Sequence, residues 1–338
     1  MEKRAVAWID RFGLYASSAE RATLLGSASA DFYSRFAPHA DRDGLLIATR
    51  WVYWGFAFDD RYCDAGPMSE QPDEFARLAD RLQEVLESPS SRPPTDPFGA
   101  ALHDIARSMR ELASPAVNER FYRAHRSWLS GVVQQIAHRA NGVLPELDTY
   151  LEMRIRAAGG FPTFALLEVA NGLPDIPEAE MSAPAVRTLT ELASMIAALD
   201  NDRYSHSREV DLAHTDQNIY QVIRAATGDS PPEATLRAAN FRDRLLERFL
   251  EVRHQVFPPA GESLRRYLLD LGHGLRGNVE WGLRAARYAR PAPTVTARPM
   301  PPVLHRRPRR SPEPSVDPLA LPHVARWWDP LPLQAARP

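Results

Sequence analysis

Cysteine is nearly absent from this sequence: Cys63 is the single one among 338 residues. One thiol cannot form an internal disulfide, and such cysteine usage is typical of a reducing compartment. No apolar run reaches the roughly 18 residues that span a bilayer, and the N-terminal stretch lacks the uninterrupted apolar segment of a secretory signal. We therefore expect a cytoplasmic protein without a membrane span.

The sequence also lacks an excess of charge of either sign. It has 41 lysine and arginine residues against 43 acidic residues, which gives a formal net charge of −2. This balance provides no overall field that would attract nucleic acid or an anionic membrane. Neither is expected as a partner.

Strand patterns are scarce, whereas helical periodicity recurs up to about Tyr288. In the stretch FARLADRLQEVLE, the side chains of Phe75, Leu78 and Leu82 fall on one helical stripe. Alternating β-branched segments bounded by Asn-Gly turns are nearly absent, and short breaks with proline or glycine separate the helical stretches. The pattern predicts a single all-α domain over residues 1–290.

Proline is unevenly spread, with 13 of the 30 prolines after Arg290. Because proline lacks the backbone donor and the φ freedom that helices need, we expect residues 291–338 to form a mostly disordered tail. Its basic run His305–Arg310 is interpreted as a solvated linker rather than a phosphate-binding patch. The apolar segment Ala325–Leu333 either belongs to this linker or docks on the domain or on a partner, and a homodimer is left open.

Three carboxylates, Asp59, Asp60 and Asp64, follow an apolar aromatic run that begins at Trp51. At 100° per residue, Asp60 and Asp64 lie one above the other on a helix, with Asp59 beside them. Carboxylates gathered in this way must be solvated or neutralised by a cation, and oxygen ligands without histidine or cysteine suit Mg²⁺. The alternative is a solvated helix end, but such an end would not need the aromatic lead-in.

A second polar cluster consists of Asn201, Ser205 and Glu209, which lie at i, i+4 and i+8 and therefore share one helical face. Their amide, hydroxyl and carboxylate oxygens form a second set of ligands for a hard cation. Arg208, next in the chain to Glu209, has the forked donor geometry that suits phosphate. An exposed polar turn is the alternative, but Asn and Ser are poor residues for a helix interior, and metal ligation explains their presence.

Together the two motifs resemble those of the bacterial class I terpene cyclases. That family carries an Asp-rich DDxxxD or DDxxD motif and a later ND-x-x-S-x-x-x-E motif, which is complete here. Near the end of the helical region, GNVEWGLRAARY is similar to the family's Gly-Asn-x-x-Trp segment ending in Arg-Tyr, with matches at Gly277, Asn278 and Trp281. The resemblance covers about Trp8 to Tyr288 and implies a class I helical bundle.

One segment departs from the family pattern. The family has tandem arginines, one of which senses the diphosphate, whereas here Arg154 and Arg156 are separated by Ile155. Ungapped spacing places Ile155 at the sensor position, and a shift of one residue places Arg156 there and Gly160 at the following helix break. Arg154 is the alternative. We favour Arg156 because Gly-Gly-Phe-Pro then follows at the right distance.

The resemblance implies a chemistry as well as a fold. It implies three Mg²⁺ ions, two held by the Asp-rich motif (Asp59 foremost, with Asp60 and Asp64) and one held by the Asn201, Ser205 and Glu209 cluster. It further implies diphosphate binding by arginine and tyrosine side chains: Arg154 or Arg156, Arg208, Arg287 and Tyr288. The residues expected to line a carbocation pocket are Phe56, Phe58, Phe161 and Trp281, with Gly159 and Gly160 at a helix break whose freed carbonyls face the pocket.

The substrate implied by the resemblance is a prenyl diphosphate, with farnesyl diphosphate as the default. Geranyl, 2-methylgeranyl and geranylgeranyl diphosphate are alternatives. Two other functions compete with cyclisation: a chain-elongating prenyl transferase, which would carry a second DDxxD where Asn201 stands, and a non-catalytic helical scaffold. No second DDxxD follows here, which argues against the transferase, and intact ligand types at the motif positions argue against the scaffold.

Overall fold

The computed structural model describes residues 1–64, 66–89, 92–211, 217–288 and 316–331, except for the side chains of residues 207–211. No β-strand occurs in this part of the chain, so the all-α prediction is confirmed. The α-helices are α1 (Glu2–Phe12), α2 (Ser18–Leu25), α3 (Ser29–Phe36), α4 (Arg42–Phe58), α5 (Pro72–Glu87), α6 (Pro97–Leu112), α7 (Pro115–Ala140), α8 (Leu147–Ala157), α9 (Gly160–Asn171), α10 (Glu178–Met181), α11 (Pro184–Asp211), α12 (Ile219–Thr227), α13 (Pro231–Val256), α14 (Glu262–Gly282) and α15 (Pro322–Ala325). Over the described ranges, no helix is both long enough and apolar enough to cross a bilayer.

Two of the central helices begin at residues suited to capping. The Asp41 carboxylate accepts hydrogen bonds from the backbone N–H groups of Asp43 and Gly44 at the start of α4. The Ser114 hydroxyl accepts one from the backbone of Val117 at the start of α7. Such caps each contribute about 1 kcal/mol, because they satisfy donors that the first helical turn leaves open.

A layer of aromatic side chains joins α4 to α7 in the core. Trp54 is fully buried and stacks on Phe58, with ring centroids 4.9 Å apart. Trp51 contacts the ring of Trp128 on α7 edge to face at 5.8 Å. Aromatic pairs at these distances add to the stabilisation from area burial alone. The two helices are thereby fixed as one wall of a deep cavity.

The Asp-rich motif is not part of an ordinary α-helix. Residues Asp59–Cys63 form one π-helical turn at the end of α4, in which the Asp64 N–H donates to the Asp59 carbonyl at 2.9 Å. In a π turn the bond joins residues five apart rather than four. The geometry of constant 100° steps therefore fails here, and Asp59, rather than Asp60, shares a face with Asp64.

Helices α8 and α9 are separated by the predicted break. Gly159 has φ of 73°, a left-handed conformation that favours glycine. The next residue, Gly160, lies against α11, where an added Cβ would come within 3.1 Å of Ser194. The two glycines therefore let the chain turn and approach α11 closely.

Part of the proline-rich tail packs against the domain. Residues 316–331 form short helical turns, and the side chains of Val324 and Trp327 are buried. The remaining residues of the tail, 291–315 and 332–338, including the basic run His305–Arg310, lie outside the described residues. Burial of apolar surface on helices α8, α11 and α13 offsets the ordering cost that the proline content alone suggests.

Candidate active site

A deep cavity opens between helices α4, α7, α8, α9, α11 and α14. Most of the residues that line it are aromatic, aliphatic or glycine, and polar side chains from separate helices also reach it. The lining includes Phe32, Trp51, Gly55, Phe56, Asp59, Asp64, Trp128, Arg154, Ala157, Gly159, Gly160, Ala197, Asn201, Ser205, Trp281, Arg287 and Tyr288. Residues distant in the sequence thus contribute to one site.

Only some of the predicted aromatic residues line this cavity. Phe56 and Trp281 do so, with stacked rings 5.7 Å apart. The expectation was wrong for Phe58, which is fully buried against Trp54 in the core, and for Phe161, which does not reach the cavity wall. On α4 the cavity-facing positions are set by the register of the helix. Phe58 lies at the edge of that face, and its ring contacts Phe75 and Phe98 in the core instead.

Several lining aromatics were missed by the sequence reasoning. Trp51 lies one turn before Gly55 and two turns before Asp59, so the shared helical face was an available signal for it. Trp128 and Phe32 come from helices that carry no motif. Their position could not be read from local periodicity, because α3 and α7 also bury aromatics in the core.

At the mouth, the carboxylates of the Asp-rich motif divide between two environments. Asp59 and Asp64 line the cavity, whereas Asp60 accepts two bonds from Arg287, each 2.7 Å long. Arg287 also lies over the Phe56 ring, 4.7 Å from its centroid. Asp60 therefore pairs with an arginine in the position where the sequence predicted a metal ligand.

Arg287 remains charged in this buried setting. Burial opposes the charge, but the Asp60 carboxylate outweighs it and raises the pKa of Arg287 above its ordinary value. The Arg287 Nε atom has no hydrogen-bond partner among the described residues. An unpaired buried donor is costly, and an anion at the mouth would satisfy it.

The second motif is held in a network with two other segments. The Asn201 amide oxygen accepts from Arg154 at 2.8 Å, and its amide nitrogen donates to the Tyr288 hydroxyl oxygen at 3.0 Å. The Ser205 hydroxyl donates to the Asn201 backbone carbonyl at 2.9 Å. The backbone of Arg208 and Glu209 continues α11, but their side chains lie outside the described residues.

Asp202 anchors Arg154 beneath this network. Its carboxylate accepts from Arg154 Nε at 2.7 Å and from the hydroxyl of Tyr150. Burial raises the pKa of Asp202, and the two donors counteract this by favouring the charged form. Asp202, the second residue of the motif, thus has a structural role: it orients the Arg154 guanidinium.

The sequence favoured Arg156 as the residue that senses the diphosphate, but in the structure Arg154 is the one that faces the cavity. Arg154 is 9% exposed and lines the cavity. Arg156 turns away from the cavity and donates to Gln134 at 2.7 Å and to Glu152 at 3.1 Å. Since neighbours two apart lie on opposite sides of a helix, only one of these arginines can face Asn201.

Conservative replacements distinguish these arginines. Arg154→Lys keeps the charge but loses the fork that contacts both Asn201 and Asp202, so diphosphate release from substrate should fall roughly 10–100-fold, the usual cost of disturbing an outer shell. Arg156→Lys, the matched control on the same helix, should change it little. A larger loss with Arg156→Lys would restore the sequence-based preference.

The helix break offers fewer free carbonyls than expected. The Ala157 carbonyl accepts from the Trp128 indole N–H at 3.1 Å. The Gly159 carbonyl accepts from the Thr163 hydroxyl at 2.7 Å. Gly159 and Gly160 themselves line the cavity.

The donor set at the mouth fits a hard cation. Asp59, Asp64, Asn201 and Ser205 line the cavity, and the atoms with which their side chains can bind a metal are oxygens. In the part of the chain that is described, no three His, Cys, Asp or Glu side chains gather around one point. Carboxylate, amide and hydroxyl oxygens of this kind suit a hard divalent cation.

An all-helical bundle around an aromatic cavity, with oxygen-rich clusters and arginines at its mouth, defines the class I terpenoid synthase type of enzyme. The chain matches the family model described as terpene synthase family 2, C-terminal metal binding, over residues 50–248. It belongs to this family and is a bacterial class I terpene synthase, a lyase that cyclises a prenyl diphosphate. The family's metal-binding domain implies a divalent metal.

Individual relatives agree with this assignment. The chain is 45% identical to spiroviolene synthase of Streptomyces violens, over 97% of this chain and 91% of the relative. It is 30% identical to (+)-T-muurolol synthase ((2E,6E)-farnesyl diphosphate cyclizing) of Streptomyces clavuligerus, over 85% of this chain and 69% of the relative. A crystal structure of a protein from ancestral sequence reconstruction superposes with a TM-score of 0.83 at 49% identity, covering 97% of this chain and 93% of that chain.

Proposed function

We propose that this enzyme uses three Mg²⁺ ions to ionise farnesyl diphosphate and then cyclises the carbocation to a sesquiterpene. The observation that carries the proposal is the meeting of Asp59, Asp64, Arg154, Asn201 and Arg287 around the mouth of one aromatic cavity. A charged diphosphate fits the mouth, and an apolar prenyl chain fits the interior.

The metal ligands are proposed as two sets. Asp59 and Asp64 would hold two ions, and Asn201, Ser205 and Glu209 the third. Bound Mg²⁺ neutralises the charge that develops on the leaving diphosphate. Asp59, Asp64, Asn201 and Ser205 offer a metal oxygen ligands, which supports this assignment, since softer metals prefer nitrogen or sulfur.

The diphosphate would be held by arginine and tyrosine side chains as well. Arg154 and Arg287 present guanidinium groups at the mouth, with Tyr288 between Asn201 and the Trp281 ring, 5.5 Å from the latter. Fixed donors aimed at a developing charge stabilise it without reorganisation. Arg208 is assigned to the same role from its sequence position alone.

The interior of the cavity would protect and guide the cation. Phe32, Phe56 and Trp281 surround it with ring faces and edges, with Phe32 and Trp281 centroids 4.7 Å apart. Ring faces attract cations, and a dry wall prevents their capture by water. The protein's part in the carbon chemistry is therefore shape and exclusion of water.

Two substrate lengths have support. Farnesyl diphosphate is named in the description of the muurolol synthase relative. The C20 substrate geranylgeranyl diphosphate is a second candidate, because small residues make up much of the inner wall and leave room for a longer chain: Gly55, Ala157, Ala158, Gly159, Gly160, Ala197 and Ala198.

Purified protein incubated with C10, C15 and C20 diphosphates tests both parts of the proposal. We expect diphosphate release and a cyclic hydrocarbon or alcohol with the C15 substrate, loss of both in chelator, and recovery with Mg²⁺. Circular dichroism should show an unchanged helical fold in chelator. Turnover that persists without divalent metal would contradict the mechanism. Turnover of the C20 substrate alone would change the proposed substrate from farnesyl to geranylgeranyl diphosphate.

The length of the accepted substrate should respond to Gly55. An added Cβ there meets no atom within 4 Å, although the residue lines the cavity. The Cβ of Gly55→Leu therefore enters open space, and the rest of the side chain adds bulk to the cavity wall. We expect turnover of the longest accepted diphosphate to fall roughly tenfold or more relative to the next shorter one. Gly55→Ala should give a smaller shift in the same direction. Equal losses for all lengths would show that Gly55 does not set cavity depth.

A further inference from the structure

Residues 316–331, here called the docked segment, bind across three helices of the domain. The Trp327 indole N–H donates to Glu191 on α11 at 2.7 Å, and the Trp327 backbone carbonyl accepts from Arg248 on α13 at 2.8 Å. The Trp327 side chain is 1% exposed. This combination of burial and paired polar atoms is specific packing, unlike a loosely attached tail.

On the third helix, the docked segment contacts the first turn of α8. The backbone N–H of His323 donates to Asp148 at 3.1 Å, and its imidazole contacts Asp148 and also Glu152, the latter at 3.1 Å. The N-cap residue of α8, Glu146, makes no side-chain capping bond. The docked segment thus binds α8 at an end that lacks a cap of its own.

Helices α8 and α11 are also the two that form the site network. Arg154 on α8 contacts Asn201 and Asp202 on α11. The docked segment contacts the same two helices, through His323 on α8 and Trp327 on α11. It bridges them outside the cavity, while Arg154 joins them at its mouth.

We propose that the docked segment is an intramolecular clamp, in which His323 and Trp327 are positioning residues that hold α8 against α11 so that Arg154 and Asn201 stay aligned for diphosphate. The inference rests on the proposed diphosphate-binding role of Arg154. Its physical basis is that small displacements of positioned groups cost binding and rate out of proportion to their size. Neither His323 nor Trp327 lines the cavity.

The clamp is tested by the binding of inorganic diphosphate with Mg²⁺ to the full-length protein, well below its melting temperature. His323→Ala should weaken this binding several-fold and raise KM for the prenyl diphosphate more than it lowers kcat. Trp327→Phe keeps an aromatic side chain but loses both the donor to Glu191 and part of the buried indole, so it should weaken binding in the same direction. Leu319→Ser is the matched control, since Leu319 is 55% exposed in the same segment and should leave binding unchanged.

A double-mutant cycle separates positioning from plain stabilisation. In an Arg154→Lys background, His323→Ala should have little further effect on diphosphate affinity, although it still lowers the melting temperature. Full additivity in affinity, or a fall in melting temperature with unchanged affinity, would overturn the clamp. If the unaltered enzyme itself failed to bind Mg²⁺ and diphosphate, the proposed function would fail instead, which distinguishes the two failures.

Discussion

Asn201→Ala is expected to lower turnover on the order of 10²-fold or more, at the upper end of what disturbance of a metal site costs. The substitution removes a proposed metal ligand and also the contacts that join Arg154 and Tyr288. Three motifs distant in sequence meet on this one amide, so a single side chain carries an unusually large share of the site. Steady-state diphosphate release measures the loss.

A second substitution in the same cluster makes this prediction sharper. Glu209→Gln alone should cost a similar factor, and the double variant should cost much less than the product, because ligands that act as a unit are non-additive. Arg203→Ala, exposed on the same helix, is the control and should stay near the unaltered rate. Small and independent effects would favour the solvated polar helix over a metal site.

Arg287→Ala is expected to reduce turnover by roughly 10²–10³-fold, the scale of losing one fixed donor at a developing charge. The arginine pairs with Asp60 through both terminal nitrogens and keeps an unpaired Nε among the described residues. Removing it leaves the Asp60 carboxylate without this partner at the cavity mouth, so the melting temperature should also fall. Arg287→Lys keeps the charge without the forked donors, so its turnover should lie between that of Arg287→Ala and that of the unaltered enzyme.

Ligand-induced stabilisation gives an independent measure of the same site. Mg²⁺ with inorganic diphosphate should raise the melting temperature of the unaltered enzyme, because the ligand binds the native state. Hydrogen exchange should slow at Asp59–Asp64 and at residues 284–288, and Arg287→Ala should lose most of this protection. Normal protection in Arg287→Ala would contradict a shared site even for an active cyclase.

Much of the fold was predictable because helical periodicity and residue chemistry are local. The apolar stripes and the breaks with proline or glycine predicted an all-α domain, and Gly159 with Gly160 marked the turn between α8 and α9. Oxygen-bearing residues at i, i+4 and i+8 pointed to one face of one helix. The clustering of Asn201 and Ser205 at the mouth follows directly from that spacing.

The arrangement of the site was decided by tertiary structure. Because of the π turn, Asp59 shares a face with Asp64, and Asp60 pairs with Arg287. In this turn the backbone hydrogen bond joins residues five apart instead of four, which rotates every later side chain about the helix axis. Arg154 faces the cavity because α8 packs with that side on α11.

The cavity wall and the tail depended on packing between elements far apart in the chain. Trp128 faces the cavity through the packing of α7, and Trp327 is buried by docking across α11 and α13. The positions of the helices and the side chains that share a helical face were thus determined by the sequence itself, because they depend on near neighbours in the chain. The pairing of distant groups was set by the fold, because it depends on which helical faces pack together.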